Sequence, residues 1–182
     1  GVGRIIVDGA HDVEAIEALC AARGKRMKVL YRVTPGVKAD SHDYIVTGKK
    51  DSKFGFPPDE DVIYPAVERA VAAPHVDFLG FHFHIGSQLF DASPYLQAVE
   101  AVLELVRQVR DRFGVRVSEL NLGGGFGITY TTEERMPYRY YLDPMLERIA
   151  ACFDALELPR PAVVIEPGRS IVGDAALSLY TV

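Results

Sequence analysis

DFLGFHFHIGSQ, residues 77–88, reads as a β-strand that ends on chemically capable groups. Strand side chains alternate between faces, so Phe81, Phe83 and Ile85 share one side and His82 and His84 the other, with Gly86 and Ser87 just past the end. The same design recurs along the chain. Short β-branched or aromatic runs at Arg4–Val7, Lys28–Val33, Ser118–Leu122, Ala162–Ile165 and Leu177–Val182 give, with Asp77–Ile85, six candidate strands. Helical patterns separate them, and that alternation implies βα units with parallel strands joined by right-handed crossovers.

The helices have readable limits. The first follows Asp8, with Asp12 as a cap, an apolar stripe of Val13, Ile16, Leu19 and Cys20, and a stop near Gly24. A second runs from about Pro58 to Ala73. In the third, Ser93 caps, Pro94 takes the first helical position, and Leu96, Val99, Leu103, Val106 and either Val109 or Arg110 trace one face until Gly114. The fourth is expected from Asp143, with Pro144 in its first turn, to Leu156, burying Leu146, Ile149, Ala150 and Phe153.

Parallel strands with crossover helices leave two architectures, a doubly wound open sheet or a (β/α)8 barrel. An open sheet gathers its site at one switch point, whereas a barrel draws it from many strand ends. Here capable residues follow several strands: Arg32, His84 with Ser87, Gly123–Gly127, and Glu166 with Arg169. The reading is therefore α/β, a partial TIM-type (β/α)8 barrel of about six strand–helix units over residues 1–182, since a whole barrel takes eight strands and about 250 residues.

Composition removes other classes. Among 182 residues, 20 Lys+Arg stand against 25 Asp+Glu for a net charge of −5, which is the wrong balance for a nucleic-acid surface. No apolar run reaches the roughly 18 residues of a membrane span. Two cysteines, Cys20 and Cys152, make no disulfide framework and read as buried thiols, which fits the reducing cytoplasm.

Three segments carry the chemistry. For His82 and His84 the readings are hydrogen-bonded core, zinc ligation, or a ring used as acid, base or stacking surface. LNLGGGFGI, residues 120–128, runs a strand into Gly123, Gly124 and Gly125, whose backbone N–H groups can converge on a phosphate or simply make a tight turn. It is neither the dinucleotide fingerprint nor a Walker loop. VVIEPGRS, residues 163–170, ends a strand on Glu166 and turns through Pro167 and Gly168 to Arg169; the carboxylate needs a cationic or hydrogen-bonding partner, or pairs structurally with the arginine. Lys53 in SKFGF and the HDYIVTG segment, residues 42–48, read as loop.

In order, VTPGVKADSHDYIVTGKKDSKFGF, GFHFHIGSQ, LNLGGGFGI and EPGRSIVG closely resemble the diaminopimelate decarboxylases, pyridoxal-phosphate enzymes of the alanine-racemase-like barrel class. The likeness covers nearly the whole chain. HDYIVTG and SKFGF favour this family over its ornithine and arginine relatives, which share the histidine, glycine and EPGR motifs. The resemblance implies decarboxylation of meso-diaminopimelate to L-lysine and a pyridoxal 5'-phosphate cofactor. His84 would stack on the cofactor ring, Ser87 and Gly123–Gly125 would hold its phosphate, and Glu166 would meet the pyridine nitrogen. Gly168 and Arg169 would close the phosphate cup, Arg169 would also meet a substrate carboxylate, and Arg32 would lie near the phenolic oxygen. It further implies a homodimer, an anchoring lysine and a C-terminal β-domain outside these residues, and a segment inactive by itself. No metal is expected on this reading; the zinc alternative is a barrel hydrolase using His82 and His84.

Overall fold

The alternation of apolar and polar positions makes one face of each strand seek helices, and the strands line up accordingly. The chain is described from a computed structural model covering residues 1–37, 54–175, 177 and 179–181. Five strands, β1 (Ile5–Val7), β2 (Met27–Arg32), β3 (Val76–His82), β4 (Glu119–Asn121) and β5 (Ala162–Val164), form one sheet in chain order. Each pairs parallel with the strand before it. Every crossover thus steps one strand in one direction, which builds the wall of a barrel and has no switch point.

Helices α1 (Ala10–Ala21), α2 (Glu60–Ala72), α3 (Ser93–Phe113) and α4 (Tyr138–Ala155) join successive strands, and a short α5 (Gly168–Val172) follows β5. One apolar cluster fills the space between helices and sheet, drawing Tyr31, Phe81 and Leu120 from the strands and Val67, Val106 and Phe153 from the helices. Cys20 and Cys152 are both buried and free in it, as expected.

Several details differ from the sequence reading. Residues 177 and 179–181 of the sixth candidate strand carry no strand structure, and the rest of that run lies outside the described residues. So do HDYIVTG and Lys53. Helix α4 starts at Tyr138, so Pro144 sits inside it. The reason is tertiary: Tyr138 and Tyr141 pack their rings on Phe126, and the Tyr141 hydroxyl donates to the Leu89 carbonyl, fixing a helical turn ahead of the proline. Leu19 and Leu146, expected inside, are 56% and 42% exposed. At α1 the cap position is Gly9, and the Asp12 carboxylate reaches back to accept from the N–H groups of Asp8 and Gly9. At α3 the cap position is Ala92, and Asp91 rather than Ser93 supplies the accepting oxygen.

Candidate active site

Strand register sets one residue from each strand at the same level on the inner face, away from the helices. Arg32 pairs with His82, His82 with Asn121 and Asn121 with Val164. Val7 pairs with Tyr31, so Asp8 stands next to Arg32, and its carboxylate lies 3.6 Å from the guanidinium. Glu166, two residues past Val164, returns by alternation to the same face. The C-terminal ends of five parallel strands therefore share one polar row.

The Glu166 carboxylate is held from two sides. Asn121 Nδ2 donates to Oε1 at 2.9 Å, and His82 Nε2 lies 3.3 Å from Oε2. Its side chain stays 48% exposed, against 5% for His82, so the carboxylate is fixed from behind and open in front. Burial pushes the His82 imidazole below its usual range, against the pull of Glu166. A neutral ring donating from Nε2 leaves its lone pair on Nδ1, which is buried and lacks a hydrogen-bond partner among the described residues. His84 is likewise shifted down, by burial first and then by the positive charge of Arg32. It is half-buried, and the Gly124 N–H points at its Nδ1 at 3.4 Å. Arg32 also covers the Phe54 ring at 4.8 Å.

The glycine run lies against three neighbouring segments at van der Waals limits. A Cβ on Gly123 would come within 2.3 Å of the Phe83 carbonyl oxygen, on Gly124 within 2.0 Å of that of Glu166, and on Gly125 within 2.1 Å of that of Gly86. The glycines are thus needed for backbone to meet backbone, and this brings the run beside His84 and next to the Gly86–Ser87 turn. Gln88 locks that turn: at φ 59 it adopts a left-handed conformation unusual for a side-chain-bearing residue, and its amide exchanges two 2.9 Å hydrogen bonds with the backbone of Ile128. The Tyr95 hydroxyl donates to the Gly124 carbonyl from below.

Of the residues singled out from sequence, Arg32, His84, Ser87, Gly123, Gly124, Gly125 and Glu166 all gather at this end of the sheet. Gly168 and Arg169 follow on α5. The Gly168 N–H donates to the Glu166 carbonyl at 2.9 Å, and Arg169 is exposed. That helix is tethered by Ser170, whose hydroxyl lies 2.8 Å from the Tyr138 hydroxyl. Sequence reasoning missed Asp8, Asn121 and Gln88. For Asn121 a signal was present: its parity matches Gly123 and the inward-facing positions of its strand. On the zinc alternative, His82 turns Nε2 to Glu166, and among the described residues no three His, Cys, Asp or Glu side chains gather as metal ligands.

The arrangement suits a planar, protonated nitrogen heterocycle carrying a phosphate. The carboxylate has an open edge for the ring nitrogen, a neutral imidazole offers a flat face, and glycine backbone and a hydroxyl offer anion donors.

Comparison with known proteins agrees. The family model described as pyridoxal-dependent decarboxylase, pyridoxal binding domain, matches residues 1–173. The diaminopimelate decarboxylase of Bacillus subtilis is 41% identical over 182 residues, all of this chain and 42% of that protein. The chain thus spans about two fifths of the curated relatives it matches. Among solved structures, diaminopimelate decarboxylase from Helicobacter pylori complexed with L-lysine superposes with a TM-score of 0.79 and 28% identity, over 92% of this chain and 40% of that one. Lysine/ornithine decarboxylase from Vibrio vulnificus complexed with putrescine gives 0.65 and 26%, over 94% and 39%.

Proposed function

The chain belongs to the pyridoxal-dependent decarboxylases, within their pyridoxal-binding domain, and from that premise we propose that it is the cofactor-holding wall of a diaminopimelate decarboxylase. The whole protein converts meso-diaminopimelate to L-lysine: the bond from the α-carbon to its carboxylate breaks, carbon dioxide leaves, and a proton takes its place. The observation that carries the reading is the Glu166 carboxylate, braced by Asn121 and His82 and open toward the mouth of the barrel. When bound, pyridoxal phosphate supplies an electron sink for the pair left on carbon.

The residues of this chain prepare that chemistry. Glu166 holds a proton on the ring nitrogen through a charge-assisted hydrogen bond. His84, neutral because burial and Arg32 disfavour its charge, lays its ring against the heterocycle without repelling the nitrogen's proton. The Gly123 and Gly124 N–H groups are turned to Asn121 and His84, so the Gly125 N–H at the end of the run and the Ser87 hydroxyl take the phosphate, and Gly168 and Arg169 complete that cup from α5. Arg169, with its guanidinium exposed, also receives a substrate carboxylate. Arg32, oriented by Asp8, would meet the phenolic oxygen of the bound cofactor.

On this reading the lysine that anchors the cofactor and the C-terminal β-domain lie outside residues 1–182, and the protein works as a cytoplasmic homodimer. Both buried thiols fit a reducing compartment. The higher likeness to a diaminopimelate enzyme than to a lysine/ornithine enzyme supports the substrate. The test is to give full-length protein pyridoxal phosphate with meso-diaminopimelate, ornithine or arginine. Carbon dioxide and L-lysine are expected from the first alone. Preference for ornithine or arginine moves the protein to a sister activity, and no carbon dioxide from any of them overturns the assignment.

A further inference from the structure

Asn121 is buried, and both ends of its amide are committed. Oδ1 accepts from the Gly123 N–H at 3.0 Å, and Nδ2 donates to Glu166 Oε1 at 2.9 Å. A third bond closes the circuit, since the Glu166 N–H donates to the Gly123 carbonyl at 2.7 Å. A backbone N–H only donates and a carboxylate only accepts, so the amide has one orientation that serves both. Aspartate has no donor for the carboxylate, and alanine serves neither partner. The geometry points to Asn121 as a positioning residue that ties Glu166 to the glycine run, setting the spacing between the group that meets the cofactor's ring nitrogen and the backbone that takes its phosphate. This rests on the cofactor placement proposed above, and it adds a residue that touches neither end of the cofactor but measures the distance between them.

The packing around it explains why an amide is tolerated there. Leu120 and Leu122 on either side face the helices and are buried, so Asn121 is the inward residue of an otherwise apolar run. An unsatisfied buried amide would be costly, and the three-bond ring removes that cost while making the carboxylate's orientation depend on the glycine loop.

The test uses full-length protein and three variants, N121A, N121D and N121D/E166Q, with E166Q as reference. Two readouts are taken: thermal melting of the cofactor-free protein, and the dissociation constant for pyridoxal phosphate beside that for pyridoxal, which lacks the phosphate. N121A is expected to weaken pyridoxal phosphate binding about tenfold, the loss of a hydrogen bond to a charged group. N121D, although nearly isosteric, is expected to weaken it about 100-fold, because two carboxylates then face each other without a donor between them. In the E166Q background the same substitution is expected to cost under about threefold, since the amide introduced at position 166 can donate to the carboxylate introduced at position 121. A role in packing alone predicts the opposite order, with the isostere milder than alanine and no dependence on residue 166. Either of those results overturns the proposal, as does a double variant that melts lower than N121D. Should wild-type protein take up no pyridoxal phosphate, the function assigned above fails, and the melting order still decides whether the ring exists.

Discussion

Tyr31, Phe81 and Leu120 lie side by side across β2, β3 and β4, and so do Arg32, His82 and Asn121, one residue further along each strand. The first row faces the helices and is wholly apolar but for a tyrosine hydroxyl satisfied by the Ala66 carbonyl. The second faces the barrel interior and is wholly polar. A single-residue step separates the part of the sheet that holds the fold from the part that holds the site. Stability drawn from one face frees the other to carry charged and hydrogen-bonding groups that would be poor core.

That division is open to attack, starting with the largest effect. Phe81→Ala removes a fully buried ring from the helix-facing row and is expected to lower the unfolding free energy of the full-length protein by about 3–5 kcal/mol, read by urea titration. His82→Asn, one residue on, should cost much less; equal losses would break the comparison. Glu166→Gln should do the reverse, lowering turnover by about 10²- to 10³-fold while the urea midpoint stays near wild type. Gly124→Ala sets a Cβ against the Glu166 carbonyl, and the shift needed to relieve it should cost about 1–3 kcal/mol of stability and weaken pyridoxal phosphate more than pyridoxal.

The smallest effect is a pH dependence. His82 is shifted below its ordinary 6.5, chiefly by burial, so folding favours the neutral ring. Its contribution is complete above about pH 6.5, where the unfolded ring is also neutral, and is lost as pH falls toward the lower folded value. His84 shifts the same way. Melting temperature should fall on acidification below pH 6.5, and His82→Asn should flatten that limb. An unchanged limb would mean that the inner row contributes nothing to the acid response.

The five strands were legible because their parity and β-branched content are strong local signals. The glycine run, Glu166 and the two histidines were legible because each ends a strand on an unusual residue. What escaped depended on contacts distant in sequence. Nothing local to Tyr138 announces that Phe126 will hold it in a helix ahead of Pro144. Asn121 was hidden by reading LNL as a uniform strand, because its value lies in Glu166, 45 residues on. Gln88 resembled any loop residue, since its left-handed backbone is sustained by a partner 40 residues away.

The unbroken order β1 to β5 also bears on how the protein is made. As the polypeptide leaves the ribosome, each new strand finds its docking edge already built by the strand before it. No strand must wait for a later one to separate it from its neighbour, so the wall can assemble vectorially, at the pace of translation. Closure of the site then waits on residues made late: Glu166 completes a grip whose other members, His82 and Asn121, have long since been synthesised.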